Sequence, residues 1–138
     1  MTDITIGEKQ FVISGKLDAF SQLHVARKLG PAIPIVEGLI GVRNADKDKS
    51  ILTVLMLSHI SDADTDFVMR KCLSLVYRKQ GETSKPSKVQ AQDGSLMFDD
   101  ITLSEMLQLT VTVIEENLGD FFRTALANLD QEVTAKTS

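Results

Sequence analysis

At 138 residues, with 43% hydrophobic and 25% charged side chains, the chain has the length and composition of one ordinary globular domain with a sizeable core. Its net charge of −4 argues against generic nucleic-acid binding, which needs a basic footprint. A single cysteine, Cys72, excludes an internal disulfide, and the longest strongly apolar run, near 51–57, is far short of a bilayer-spanning helix.

The opening MTDITIGEKQ lacks the charged-then-apolar pattern of a signal peptide, so a soluble intracellular protein is expected. Residues 2–6 and 10–14 alternate polar with apolar or β-branched side chains around Gly7-Glu8-Lys9, which predicts a β-hairpin. A lone hairpin is marginal in water, so this one should pack on the helices that follow.

Asp18 is a good N-cap for a helix running to about Leu29, closed by Gly30-Pro31. At 100° per residue Ala19, Phe20, Leu23 and Ala26 share one side, expected to be the inner one, with His24 and Arg27 giving it a polar edge. Pro34 suits the first turn of a short second helix through about Ile40, followed by a charged loop at 43–49. Ser50 then caps 51–60, apolar around its whole circumference, which reads as a central core helix. Ser61 to Asp64 restarts the chain into a helix expected to reach about Lys79. Its apolar face is Val68, Met69, Cys72, Leu73, Leu75 and Val76.

The polar stretch 81–96 reads as a flexible excursion, with short extended pieces at Val89 and 95–98. Thr102-Leu103-Ser104-Glu105 is a capping-box pattern. The helix it opens has Leu103, Met106, Leu107, Val111, Val113, Ile114 and Leu118 on one side. Gly119 should break or kink it, with Asp120 capping a last helix that turns Phe121, Phe122, Ala125, Leu126 and Leu129 inward and frays over 131–138. The expectation is therefore one α+β domain over 1–138, predominantly helical. It comprises a hairpin at 1–15, helices over 16–80, the excursion at 81–96 and C-terminal helices over 97–130, giving five or six packed helices in all.

Covalent chemistry finds little to work with. His24 and His59 are the only histidines, and neither has a second ligand at metal-binding spacing. Cys72 falls mid-helix on an apolar face, where cysteine is ordinarily an inert small hydrophobe. Asp62, Asp64 and Asp66 alternate as in a calcium loop, but Leu73 stands where the twelfth-position glutamate belongs, and helix capping accounts for the acids more simply. Asp99-Asp100, just before a helix, is likewise an N-terminal charge signal before it is a catalytic pair. No catalytic residue, cofactor site or metal site is assigned.

Charge is distributed unevenly. Residues 91–138 hold nine acids and two bases, a net −7, which is either a solvated helix face or a surface that steers a basic or amphipathic partner.

The strings LDAFSQLHVARKLGP (17–31), LTVLMLSHI (52–60), MFDDITL (97–103) and EENLGDFF (115–122) resemble tail assembly chaperones of long-tailed bacteriophages and prophages. The likeness covers most of the chain and is weakest over 80–94. It implies a non-enzymatic protein of the host bacterial cytoplasm that binds the tape measure protein and keeps it soluble while tail-tube subunits polymerise around it. It further implies absence from the finished virion, and a chain that corresponds to the shorter of two frameshift products. The tail-tube protein and a second copy of the chain are further partners in view; no membrane or nucleic acid is. The contact residues indicated are Phe20, His24 and Arg27, with Glu105, Glu115 and Glu116 as an acidic rim. A small structural or connector protein of the tail or neck is the alternative, and an enzyme built on Cys72 and a histidine a distant third.

Overall fold

The computed structural model describes residues 2–32, 50–81 and 85–137. Strands β1 (Thr2–Ile6) and β2 (Lys9–Ile13) form the expected antiparallel hairpin, with Ile4 opposite Phe11 and Ile6 opposite Lys9. Its two-residue turn opens on Gly7 at φ 62°, a backbone region that glycine enters without a Cβ clash. The hairpin does not stand alone. Strand β3 (Val76–Lys79) pairs with β2, placing Val12 opposite Tyr77, and the short β4 (Ser87–Lys88) extends the sheet to the order β1-β2-β3-β4.

Four α-helices are present among the described residues: α1 (Ala19–Lys28), α2 (Ser50–Leu57), α3 (Asp62–Leu73) and α4 (Leu103–Thr137). A single 3₁₀ turn, Gly30–Ala32, follows α1. This corrects the expectation of a hairpin with five or six packed helices: the described residues form four helices against a four-stranded antiparallel sheet. Two local choices produce the difference.

The first lies at 74–79. Val68, Cys72 and Val76 satisfy a helical period, but Val76-Tyr77-Arg78-Lys79 also has strand character, and β2 offers an unpaired edge. Pairing wins; α3 stops at Leu73, and Ser14 donates its backbone N–H to the Leu75 carbonyl at 2.9 Å to lead the chain into the sheet. The second lies at Gly119, which does not break the helix. A glycine costs about 1 kcal/mol inside a helix, a small term against a 35-residue element whose buried face continues from Leu118 to Phe122 on either side of it. The helix expected at 34–40 and the charged loop at 43–49 lie outside the described residues.

One continuous core joins the layers. Phe11 and Ile13 of β2 meet Val25 and Leu29 of α1, Val68 and Cys72 of α3, and the middle of α4. Helix α4 is the central element: Leu107, Leu109, Thr110, Val111, Val113 and Ile114 are all buried, so it is enclosed on more than one side. Thr110 satisfies its hydroxyl on the Met106 carbonyl at 2.8 Å, which lets a polar residue sit there. Helix α2, read from sequence as the core helix, buries Thr53 and Leu57 but leaves Val54 and Leu55 about half exposed. The stretch after β4 is folded: Val89 is fully buried, its carbonyl accepts from the Met97 N–H at 2.8 Å, and Gln90 bridges Leu96.

Candidate partner-binding surface

Helix α1 is capped as its sequence dictates. The Asp18 carboxylate accepts from the Ser21 N–H at 2.7 Å, and that contact holds its pKa below the ordinary aspartate value. The cap fixes the phase of the helix, and the phase decides which side faces in. Val25 and Leu29 enter the core; Phe20 and Leu23 do not, remaining 76% and 51% exposed. His24 and Arg27 are exposed with them. The side read from sequence as an apolar core stripe is therefore an open surface carrying an aromatic ring, a leucine, a histidine and an arginine.

Helix α3 completes that surface. The His24 ring meets Phe67 edge-on at 6.3 Å, and the Lys28 and Lys71 ammonium groups lie 4.8 Å and 5.8 Å from the centre of the same ring. Lys28 also pairs with Asp64 at 2.9 Å, clamping α1 to the first turn of α3. Ser61 caps α3 through the Asp64 N–H at 3.1 Å, and Asp66 pairs with Arg70 at 2.8 Å, so Asp64 and Asp66 are each spent on a basic side chain.

The three glutamates of the acidic rim have different surroundings. Glu105 is buried and turned into the fold, where it accepts from Lys9 at 2.8 Å and from the Thr102 N–H at 2.7 Å. Its own N–H donates to the Thr102 hydroxyl at 3.2 Å, completing the capping box. Burial would raise the carboxyl, but the Lys9 ammonium and the Thr102 donors outweigh it and hold its pKa below the ordinary value. Glu115 is half-buried, and Glu116 is exposed on the outer side of α4. Asp120 and Thr124, at successive turns from Glu116, are exposed with it, and Phe121 beside them is 58% exposed.

The structure thus brings Phe20, His24 and Arg27 together on one face and keeps Glu116 on another; Glu105 joins neither. Phe67, Lys28 and Lys71 belong to the first face and escaped the sequence reading. The signal for them was available: Phe67 falls off the apolar face of α3 although it is one of only six phenylalanines. Cys72 is fully buried and its thiol is pushed up to about 12 by desolvation, the opposite of an activated nucleophile. His59 lies exposed in the turn after α2.

A surface of aromatic and charged groups suits macromolecular contact, and similarity to known proteins agrees. The family model described as phage tail assembly chaperone protein, TAC, matches residues 7–129. The chain belongs to the phage tail assembly chaperone family. No curated protein and no solved structure matches it. The matched span takes in all of α1 and α3 and most of α4, so both exposed faces of the chaperone lie within the family region. No helix among the described residues is long and apolar enough to cross a membrane.

Proposed function

We propose that this tail assembly chaperone binds the tape measure protein of its phage and keeps it soluble while the tail tube is built, working by contact and without catalysis. The observation that carries the reading is the exposure of Phe20 and Leu23 on a well-capped helix, edged by His24 and Arg27. Soluble domains bury most large apolar side chains, and an aromatic and a leucine held together at the surface with an arginine beside them have the composition of an interface core. A long helical partner with apolar faces would lay one of them along α1. On this reading the protein acts in the host bacterial cytoplasm and leaves before the virion is complete.

Co-expression with the tape measure gene of the same phage tests it. Wild-type chaperone should keep the tape measure protein in the soluble fraction and co-purify with it. Phe20→Ser combined with Leu23→Ser, which touches no fully buried position, should leave the chaperone folded and send its partner to the pellet. A soluble, co-purifying tape measure protein in the presence of that double variant removes the surface. A solubility independent of wild-type chaperone removes the function.

A further inference from the structure

The two exposed faces are complementary to each other, and we propose that the α1 face of one copy docks on the α4 face of a second copy of this chain, in a twofold dimer. It uses the α1 face on which the tape measure reading rests, so the dimer is the state of the free chaperone and a tape measure segment seated along α1 displaces the second copy.

Charge is the first argument. Residues 1–90 carry thirteen bases and ten acids, a net +3, whereas 91–138 carry the net −7. The α1 face shows that asymmetry at the surface. Lys28 is committed to Asp64 and Lys71 lies within electrostatic reach of Asp18, while Arg27 is exposed beside Phe20 and Leu23 and leaves the face with a net basic edge. The α4 face presents Glu116 and Asp120 beside the exposed Phe121. One surface is aromatic with a basic edge, the other aromatic with an acidic edge.

Adjacency is the second argument. The Leu17 N–H donates to the Asn117 side-chain oxygen at 2.9 Å, tying the start of α1 to α4. Phe20 lies about one turn along from the first of those residues and Phe121 about one turn along from the second. The basic and acidic faces therefore stand on adjoining elements. A surface that is positive on one flank and negative on the other matches its own copy after a half-turn, so that α1 meets α4 twice. Each such contact places an aromatic ring and an arginine at its centre, the residue types that dominate interface energetics.

The test is the mass of the purified full-length chaperone by sedimentation equilibrium. Wild type should be a dimer. Arg27→Glu with Lys71→Glu makes both faces negative, and Glu116→Lys with Thr124→Lys makes both positive; each pair should weaken the dimer by at least about tenfold through like-charge opposition without changing the circular dichroism. Mixing the two variants should restore a dimer containing one of each, because every negative face then meets a positive one. A monomeric wild type, a dimer indifferent to either reversal, or a mixture that stays monomeric overturns the proposal, and in those cases the faces serve another partner. Should a reversed variant lose its fold, the neutral pair Arg27→Gln and Glu116→Gln replaces it. That variant must weaken the dimer and reduce its salt sensitivity, and an unchanged dimer there overturns the proposal too. Because the readout is the chaperone alone, its failure leaves tape measure co-purification standing, and the reverse also holds.

Discussion

Gly94 shows how a single position constrains this fold. It sits at φ 89°, in the turn where its N–H donates to the Ala91 carbonyl at 2.9 Å, and a Cβ placed there would lie 1.8 Å from the Arg70 guanidinium. That guanidinium is already held by Asp66, and the Arg70 carbonyl accepts from Gln90, so the turn and the end of α3 are packed as one unit. Two costs would fall on Gly94→Ala: a left-handed backbone that an L-residue resists, and displacement of the arginine. The first is about 1–2 kcal/mol, and it stays when the second is removed. Chemical denaturation should therefore show Gly94→Ala destabilised, and Arg70→Ala in the same chain should recover only part of the loss. Full recovery would mean that the clash alone matters and that the backbone tolerates alanine. The second constraint is not legible in the sequence, because it comes from a side chain 24 positions away.

At the scale of elements, what was legible in the sequence was whatever is decided locally. The hairpin, the Asp18 cap, the helix restart at Ser61 to Asp64, the helix end near Gly30 and the Thr102/Glu105 capping box are each set within a few residues, and each stands within about a residue or two of where the pattern put it. What was not legible was decided across the chain. Val76 to Lys79 became a strand because β2, more than sixty residues earlier, needed a partner, and α1 turned Phe20 outward because the core lay on the side of Val25 and Leu29. Helix α4 carries the sharpest contrast. A one-sided stripe would rank Leu103 with Leu107 as core, yet Leu103 is 63% exposed and Leu109, off that stripe, is fully buried. Leu109→Ala should therefore cost about 2–5 kcal/mol, the range for an enclosed leucine, while Leu103→Ala should fall within about 0.5 kcal/mol of wild type. Equal costs in thermal or urea unfolding would restore the one-sided reading.

For the whole molecule, the sheet is joined to the central helix by charge as well as by the core. Lys9 of β2 reaches Glu105 and the Asp100 carbonyl, and Arg78 of β3 grips both oxygens of Asp100 at 2.6 and 3.0 Å. The Arg78 hydrogen bonds hold the Asp100 carboxyl below the ordinary aspartate value, just as Lys9 and Thr102 do for Glu105 against the effect of its burial. Both carboxyls thus release their protons more readily in the folded chain than in the unfolded one. The sign follows directly: the stabilisation is fully present above the unfolded values, 3.8 for aspartate and 4.5 for glutamate, and it is lost as pH falls through the lower folded values. Stability should accordingly be level near neutrality and drop in acid below the glutamate value. Glu105→Gln separates this junction from general acid denaturation. Glutamine can still reach back in the capping box, so the helix start is retained while the ion pair with Lys9 is lost. At pH 7 the loss should be about 1–3 kcal/mol, in the range for a charge-assisted bond removed from a largely enclosed pair. The gap between wild type and variant should then narrow steadily as pH is lowered, because protonation performs the same substitution on the wild type. Urea midpoints measured across that range decide it. A gap that stays constant into acid would show that the charge on Glu105 does not contribute and that the loss comes from a poorer fit of glutamine at this position.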